Sequence, residues 1–363
     1  MESKRIKLIS LRYSPGILSI IIAYANAFHF LGHNVTLLLD RRYQEIIDEN
    51  IFEINWFKTG ETHEDSSDLL IFFNASIYNH RYAQEGNNNN SKIIYVYHEP
   101  WEGLFDFLLK EGCRQAVKLF FAHYFSIKML NISDLVIVAS RYAAAIYDKN
   151  DKKYNSNVLI IPLLFCDDYG NKDAASREID LSYIGHAVKG HGFDIFLKFI
   201  KYANSIDNSL SFEIATRTDI STNIYQDNQL KSMVKEGRLR VIHGKSLTNR
   251  QINDVYARSH CIWNMYRRTT QSAVLPKAFM FGVPIIVSEL PSFTDVVIDN
   301  YNGFIIRDCS FEEMFDRIKT ARERINVLEK NCRNTFLNKF YWKTNISLLQ
   351  ECLSILFFDK AGL

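Results

Sequence analysis

Lys277 stands where a cation needs a reason. It follows Pro276, which suits a first helical turn, and there the helix macrodipole disfavours an ammonium by about 0.3 to 1 kcal/mol. An anion alongside would offset that cost through a charge-assisted contact of about 1.5 to 3 kcal/mol. Lys277 is therefore read either as an anion-holding residue or as a lysine whose stem snorkels to solvent. The preceding run, Arg267-Arg268-Thr269-Thr270-Gln271-Ser272, offers hydroxyls, an amide and backbone N–H groups suited to a polyol and a phosphate.

A second run, Gly185-His186-Ala187-Val188-Lys189-Gly190-His191-Gly192, sets two imidazoles and an ammonium among glycines just past an apolar stretch. It reads as an anion-holding loop or as turn residues only. Arg217 lies just past another apolar run, and His243 and Lys245 past the next. In α/β folds ligand sites lie beyond strand carboxyl ends, so each is a candidate contact. Nearer the N-terminus, Gly16 occupies a loop where missing bulk lets backbone approach a ligand. His98-Glu99-Pro100 ends a further apolar run, and a histidine beside a carboxylate suits proton handling near neutral pH, although lone histidines are often structural.

These residues must be held by strands. Apolar runs at 6–11, 35–39, 69–73, 93–97, 135–138 and 158–161 alternate with helical stretches, the βαβ pattern of a doubly wound sheet. A second series opens at 181–184 and continues at 210–215, 239–242, 261–263, 285–287 and 304–306. Between them lies a polar link over 167–180, so two domains are expected, 1–168 and 169–341, with a final helix over 342–363. In the second series Gly282 and Pro284 stop one helix, Ser292 with Asp295 opens the next as a capping-box-like start, and Asn302-Gly303 marks a turn.

With 363 residues and 47% hydrophobic content, the chain is long enough for two cores. A net charge of +2, from 43 basic and 41 acidic residues, gives no global attraction to nucleic acid. Six cysteines without a C-x-x-C pair or zinc spacing point to a reducing cytoplasm, with neither a metal nor a disulfide framework expected. Residues 4–27 imitate a signal peptide, but strand, Ser14-Pro15-Gly16 turn and helix account for them too. No apolar run approaches the ~20 residues a membrane span needs. Residues 113–130 set Arg114, Lys118 and Lys128 among Phe120, Phe121, Tyr124 and Phe125, which suits either a peripheral membrane contact or a buried helix. Asn87 to Asn90 is a polar loop with no evident role.

The segment 269–306, with Ala278, Gly282, Pro284, Ser288, Asp295-Val296-Val297 and Asn302-Gly303-Phe304, resembles the donor-sugar region of retaining glycosyltransferases of family 4, or group 1. Asp134 to Ser140 and Val158 to Pro162 resemble the family's segments that end the first domain and enter the linker. The resemblance implies an α/β GT-B fold, two Rossmann-like doubly wound domains facing a cleft, with the last helix returning to the first domain. It implies a nucleotide-sugar donor, a glycan or polyprenyl-linked acceptor, retention, no cofactor or metal, and a polysaccharide or lipopolysaccharide pathway. Localisation would be cytoplasmic, with possible association to the inner face of the cell membrane.

From the residues and the resemblance together, donor binding is expected at Gly16, Gly185, His186, Lys189, His191, Arg217, His243, Lys245, Thr269, Thr270, Gln271, Ser272 and Leu275, and catalysis at His98, Glu99 and Lys277. The chain departs from the family where chemistry would sit. The family's two glutamates fall on Thr269 and Lys277, and its phosphate-holding Arg and Lys on His186 and His191. A degenerate relative that binds a glycan or partner without turnover is the alternative. An epimerase of the same fold would need acids that are not in the right places.

Overall fold

The computed structural model describes residues 2–47, 52–58, 66–103, 113–171 and 177–358. The chain divides into two compact units, Met1–Cys166 with Lys339–Leu363, and Asp167–Asn338. The expected boundaries were 168/169 and 341/342, a few residues later at each crossing.

The first unit carries β1 (Arg5–Ser10), β2 (Asn34–Asp40), β3 (Glu53–Phe57), β4 (Leu69–Phe72), β5 (Lys92–Val96), β6 (Leu135–Val138) and β7 (Val158–Ile160). All pair in parallel, in the order β3-β2-β1-β4-β5-β6-β7. Central strands such as Leu69–Phe72 and Leu135–Val138 are buried throughout, because helices cover both faces of a parallel sheet. Strand β3 was not expected. It is an edge strand, alternating exposed and half-buried residues, so it lacks the continuous apolar run that marks its neighbours.

Helices α1 (Leu18–Phe30), α2 (Ile77–Asn88), α3 (Cys113–Ile132) and α4 (Arg141–Asn150) connect these strands. The apolar stretch that imitates a signal peptide is α1, with Ile21, Ala23, Ala25 and Ala27 fully buried in the unit. The chain returns to this unit at its end. Phe165 bridges Tyr341, Trp342 meets Phe30 edge-on at 5.6 Å, and Lys4 lies 5.2 Å over Phe357 of the last helix, Ile346–Phe357.

In the second unit β8 (Leu181–Ile184), β9 (Phe212–Ala215), β10 (Leu239–Ile242), β11 (Ile262–Asn264), β12 (Ile285–Ser288) and β13 (Gly303–Ile306) form a parallel sheet, order β10-β9-β8-β11-β12-β13. Its helices include α5 (Phe193–Ile206), α6 (Ser221–Tyr225), α7 (Asn228–Lys235), α8 (Asn249–Ala257), α9 (Val274–Met280), α10 (Pro291–Thr294) and α11 (Phe311–Glu323). Trp263, Phe196 and Phe199 form the aromatic centre of its core, with ring centroids 5.4 and 5.6 Å from the indole.

Ser292 does not cap a helix as expected. Helix α10 starts at Pro291 after Leu290, and the Ser292 hydroxyl instead donates to the Thr269 carbonyl at 2.8 Å. Asn302 does make the turn, fully buried, with its side chain satisfied by Ile298 N–H, the Val296 carbonyl and Thr335.

Candidate functional site

The second sheet has its topological switch point between β8 and β11. From β8 the chain adds β9 and β10 on one side and then crosses to β11 on the other. In open α/β sheets that crevice, at the strand carboxyl ends, is where ligands bind. Residues 185–192 and 265–273 are the loops that flank it.

The two loops are fastened together. Arg267 N–H donates to the Gly190 carbonyl at 2.8 Å, and its guanidinium donates to the Lys189 carbonyl and forks onto Asp194 at 2.9 and 2.8 Å. The His191 ring stacks on Tyr266 with centroids 4.1 Å apart and planes 8° from parallel. Gly192 has φ +70°, and a Cβ there would overlap the Met265 carbonyl oxygen, so only glycine lets the loops approach this closely.

This packing decides which of the loop cations keeps its charge in the interior. Burial, then the His186 ring and, more weakly, the Arg268 charge push the His191 imidazole down to about 4, so it is neutral at neutral pH. His186 is exposed, and its carbonyl accepts from the Tyr183 hydroxyl at 2.7 Å. Lys189 is exposed and lines a pocket of about 470 Å³ with Phe193, Lys198 and Lys201. Arg268, by contrast, is only 6% exposed. Sequence reasoning placed Arg268 in the loop without singling it out, since nothing in the sequence separates it from Arg267.

The polar run after it is more inward than expected. The Thr269 hydroxyl closes a turn with Gln271, donating to its carbonyl and accepting from its N–H at 3.1 Å. Thr270 is fully buried and Leu275 is buried within α9. Gln271 and Ser272 are half-buried, with the Ser272 hydroxyl 3.3 Å from the Asn264 amide. Gly185, at φ +126°, opens the first loop.

Lys277 corrects the sequence reading. Helix α9 begins at Val274, two residues before Pro276, so Lys277 lies beyond the first turn and in the last, where the dipole favours a cation. It is 5% exposed and does not reach solvent. Its ammonium donates to the side-chain carbonyls of Asn249 and, at 2.7 Å, Asn253, and lies 3.6 Å from the Asp168 carboxylate. Both asparagines donate in turn to Asp168 at 3.1 Å. The offsetting anion is therefore part of the chain.

Three further candidates lie past β9 and β10. Arg217 and Lys245 are exposed. His243 Nδ1 is 3.3 Å from Asp219 and near Ile220 N–H at 3.5 Å. Thr218 joins this side to the first loop by accepting from Ala187 N–H at 3.2 Å.

The first-unit candidates sit apart from this set in the chain. Gly16 is exposed in a short 3-10 turn, Pro15–Ile17, with nothing within 4 Å of where a Cβ would be. His98 follows β5, and burial pushes its pKa down to about 4, opposed by the Phe73 backbone. It is a neutral hydrogen-bonding group at ordinary pH. Glu99 is exposed. Among the described residues no group of three or more His, Cys, Asp or Glu is arranged to hold a metal ion.

Two parallel-sheet Rossmann-like units of seven and six strands make a GT-B fold. It is similar to a glycosyltransferase from Rickettsia africae ESF-5, at 12% identity and TM-score 0.70 over 99% of this chain and 100% of that one. It is similar to the pneumococcal O-GlcNAc transferase GtfA in complex with UDP and GlcNAc, at 11%, 0.72, 99% and 100%. Anabaena Alr3699/HepE in complex with UDP-glucose matches at 12%, 0.72, 97% and 99%. No curated protein matches the sequence. Residues 178–323 match the family described as glycosyl transferases group 1, and this domain, carried in the second unit of a GT-B fold, makes the chain a glycosyltransferase.

Proposed function

We propose that the chain moves a sugar from a nucleotide-sugar donor to a glycan or lipid-linked acceptor in polysaccharide or lipopolysaccharide synthesis, with retention and without a metal. The observation that carries the reading is the fastened loop pair at the switch point with Arg268 buried beside it. As the bond from the anomeric carbon to the phosphate oxygen breaks, negative charge grows on the diphosphate. A fixed guanidinium and the first N–H groups of α5 are suited to hold that charge. The acceptor oxygen forms the new bond on the same face, and its proton passes to the departing phosphate. No protein nucleophile takes part in this scheme. Neutral His98 serves as a hydrogen-bond donor or acceptor to sugar hydroxyls.

A uridine diphosphate sugar is the first donor to try, since similar proteins hold UDP, UDP-glucose or UDP with GlcNAc. Binding should raise the unfolding temperature in a nucleotide-sugar panel by mass action. Turnover on the stabilising donor should survive EDTA, and a loss reversed by magnesium would overturn metal independence. A second reading, binding without transfer, is favoured by the neutral His191 and by Lys277 being committed to Asp168. Stabilisation by a donor with neither transfer nor hydrolysis across an acceptor panel would select it.

A further inference from the structure

Beyond β5 the chain runs through residues 97–103 without regular secondary structure, and His98 and Glu99 lie in this stretch. Pro100 fixes only its own φ, so the loop needs support from outside. Trp101 supplies the grip. At the carboxyl end of α4 the Asn150 side-chain amide donates to the Trp101 carbonyl at 2.6 Å, and Asp151 Oδ2 accepts from the Trp101 N–H at 3.2 Å. On α3 the His123 ring stacks on the indole with centroids 4.5 Å apart and planes 14° from parallel, and Phe120 meets it edge-on at 6.2 Å. One residue, three positions after His98, is thus tied through both backbone groups and its side chain.

Asp151 is a costly residue to place here. It is fully buried, and its Oδ1 makes no hydrogen bond and lies 3.9 Å from His123 Nε2. A buried carboxylate with an unmatched oxygen costs stability, so the contact it does make needs a reason. Burial pushes its pKa up, opposed first by the Trp101 N–H, and the surroundings thus favour an acceptor oxygen over a charge. His123 is neutral as well, since burial and, more weakly, the Lys153 charge push it down to about 4. Its Nδ1 lies 3.4 Å from the Tyr97 hydroxyl, so the ring is packed between Tyr97 and Trp101. We infer that Asp151 and Asn150 are positioning residues for glycosyl transfer, which through Trp101 fix the backbone that carries His98 and Glu99. Their part in transfer rests on the reading given above, in which His98 meets sugar hydroxyls, whereas the tie to the loop does not. A group misplaced by about 1 Å can cost about 10²-fold in rate, so residues that touch no substrate can set turnover.

Amide hydrogen exchange and turnover of the full chain, read on the same variants, test it. Asp151→Ala should speed exchange over residues 97–103 by about 10-fold or more. It should also lower kcat, with UDP-glucose as the first donor, by about 10-fold or more. The KM for that donor and the thermal shift it produces should change less than about threefold, because the proposed donor loops belong to the second unit. Asp151→Asn keeps an oxygen for the Trp101 N–H and should bring both exchange and kcat back to within about threefold of wild type. Asn150→Ala removes only the tie to the Trp101 carbonyl; it should produce the same two changes at smaller size, and it decides the matter where Asp151→Ala does not fold. A merely structural Asp151 would lower the unfolding midpoint while leaving exchange over 97–103 and kcat per folded molecule unchanged, which overturns the inference. An asparagine variant as impaired as the alanine one overturns it too, as does a loss of kcat without faster exchange. A wild type that turns over no member of the nucleotide-sugar panel sinks the transfer reading, and the exchange arm then still decides whether Asp151 holds the loop.

Discussion

Lys277 and Arg268 are both cations in the interior of the second unit, nine positions apart in sequence, and they are packed in different surroundings. Lys277 has its counter-charge built in, with Asp168 reached directly and through Asn249 and Asn253. Arg268 lies in the loop at the switch point, where its charge helps to hold His191 neutral. Burial alone therefore does not identify a ligand-holding cation. What separates the two is position: Lys277 lies within helix α9 against Asp168, and Arg268 lies in the loop at the switch point beside His191.

The largest effect that would break this contrast is on turnover. Arg268→Gln should lower kcat/KM by about 10²-fold or more, the scale of one lost transition-state charge contact. A loss under threefold would mean that Arg268 is as structural as Lys277. Lys277→Met should instead act on stability, costing about 2 kcal/mol in urea unfolding because buried amide oxygens lose their donor. Its donor affinity, measured where the variant is folded, should change less than about threefold, and a coupling near zero with Asp168→Asn would remove the pair from the account.

A smaller effect sharpens the contrast through pH. His191 has a folded pKa of about 4 against an ordinary 6.5, so the unfolded chain takes up its proton first as pH falls. Its share of stability is complete above about 6.5 and is lost as pH falls toward 4. Arg268→Gln removes one cause of the depression, so the folded pKa should rise and the acid loss should shrink. His191→Phe should shrink it further while keeping the stack on Tyr266, and an unchanged pH profile in both would separate His191 from Arg268. The smallest effect is expected at the loop fastening. Arg267→Ala removes a partly exposed ion pair worth about 1 kcal/mol or less, and should show mainly as a few-fold rise in KM.

Much of the fold was legible because parallel strands buried on both faces are continuous apolar runs, as at Leu181–Ile184 and Leu135–Val138. Glu53–Phe57 was not, since an edge strand shares its alternation with loops. The candidate site was legible as loops after strands and much less so as residues. Pro276 suggested a helix start that lies at Val274, and Asp168, more than a hundred positions away, is joined to Lys277 only by folding. Arg267 and Arg268 are indistinguishable as neighbours in a sequence. Tertiary packing sends one to Asp194 and the other inside.

Asp167 and Asp168 are the first two residues of the second unit, and each is engaged by a cation far along the chain. Asp167 takes a two-pronged contact from Arg333 at 2.9 and 2.7 Å, and Asp168 neighbours Lys277. This sets where the molecule can be dissected. A gene fragment opening at residue 167 keeps both carboxylates and the charge balance of the unit, whereas one opening three residues later deletes the counter-ions of Arg333 and Lys277. The shorter fragment should express mainly as insoluble material although it has lost no strand of the second sheet, because the deleted residues supply the counter-charges of Arg333 and Lys277 and the Tyr169 ring beneath Arg333.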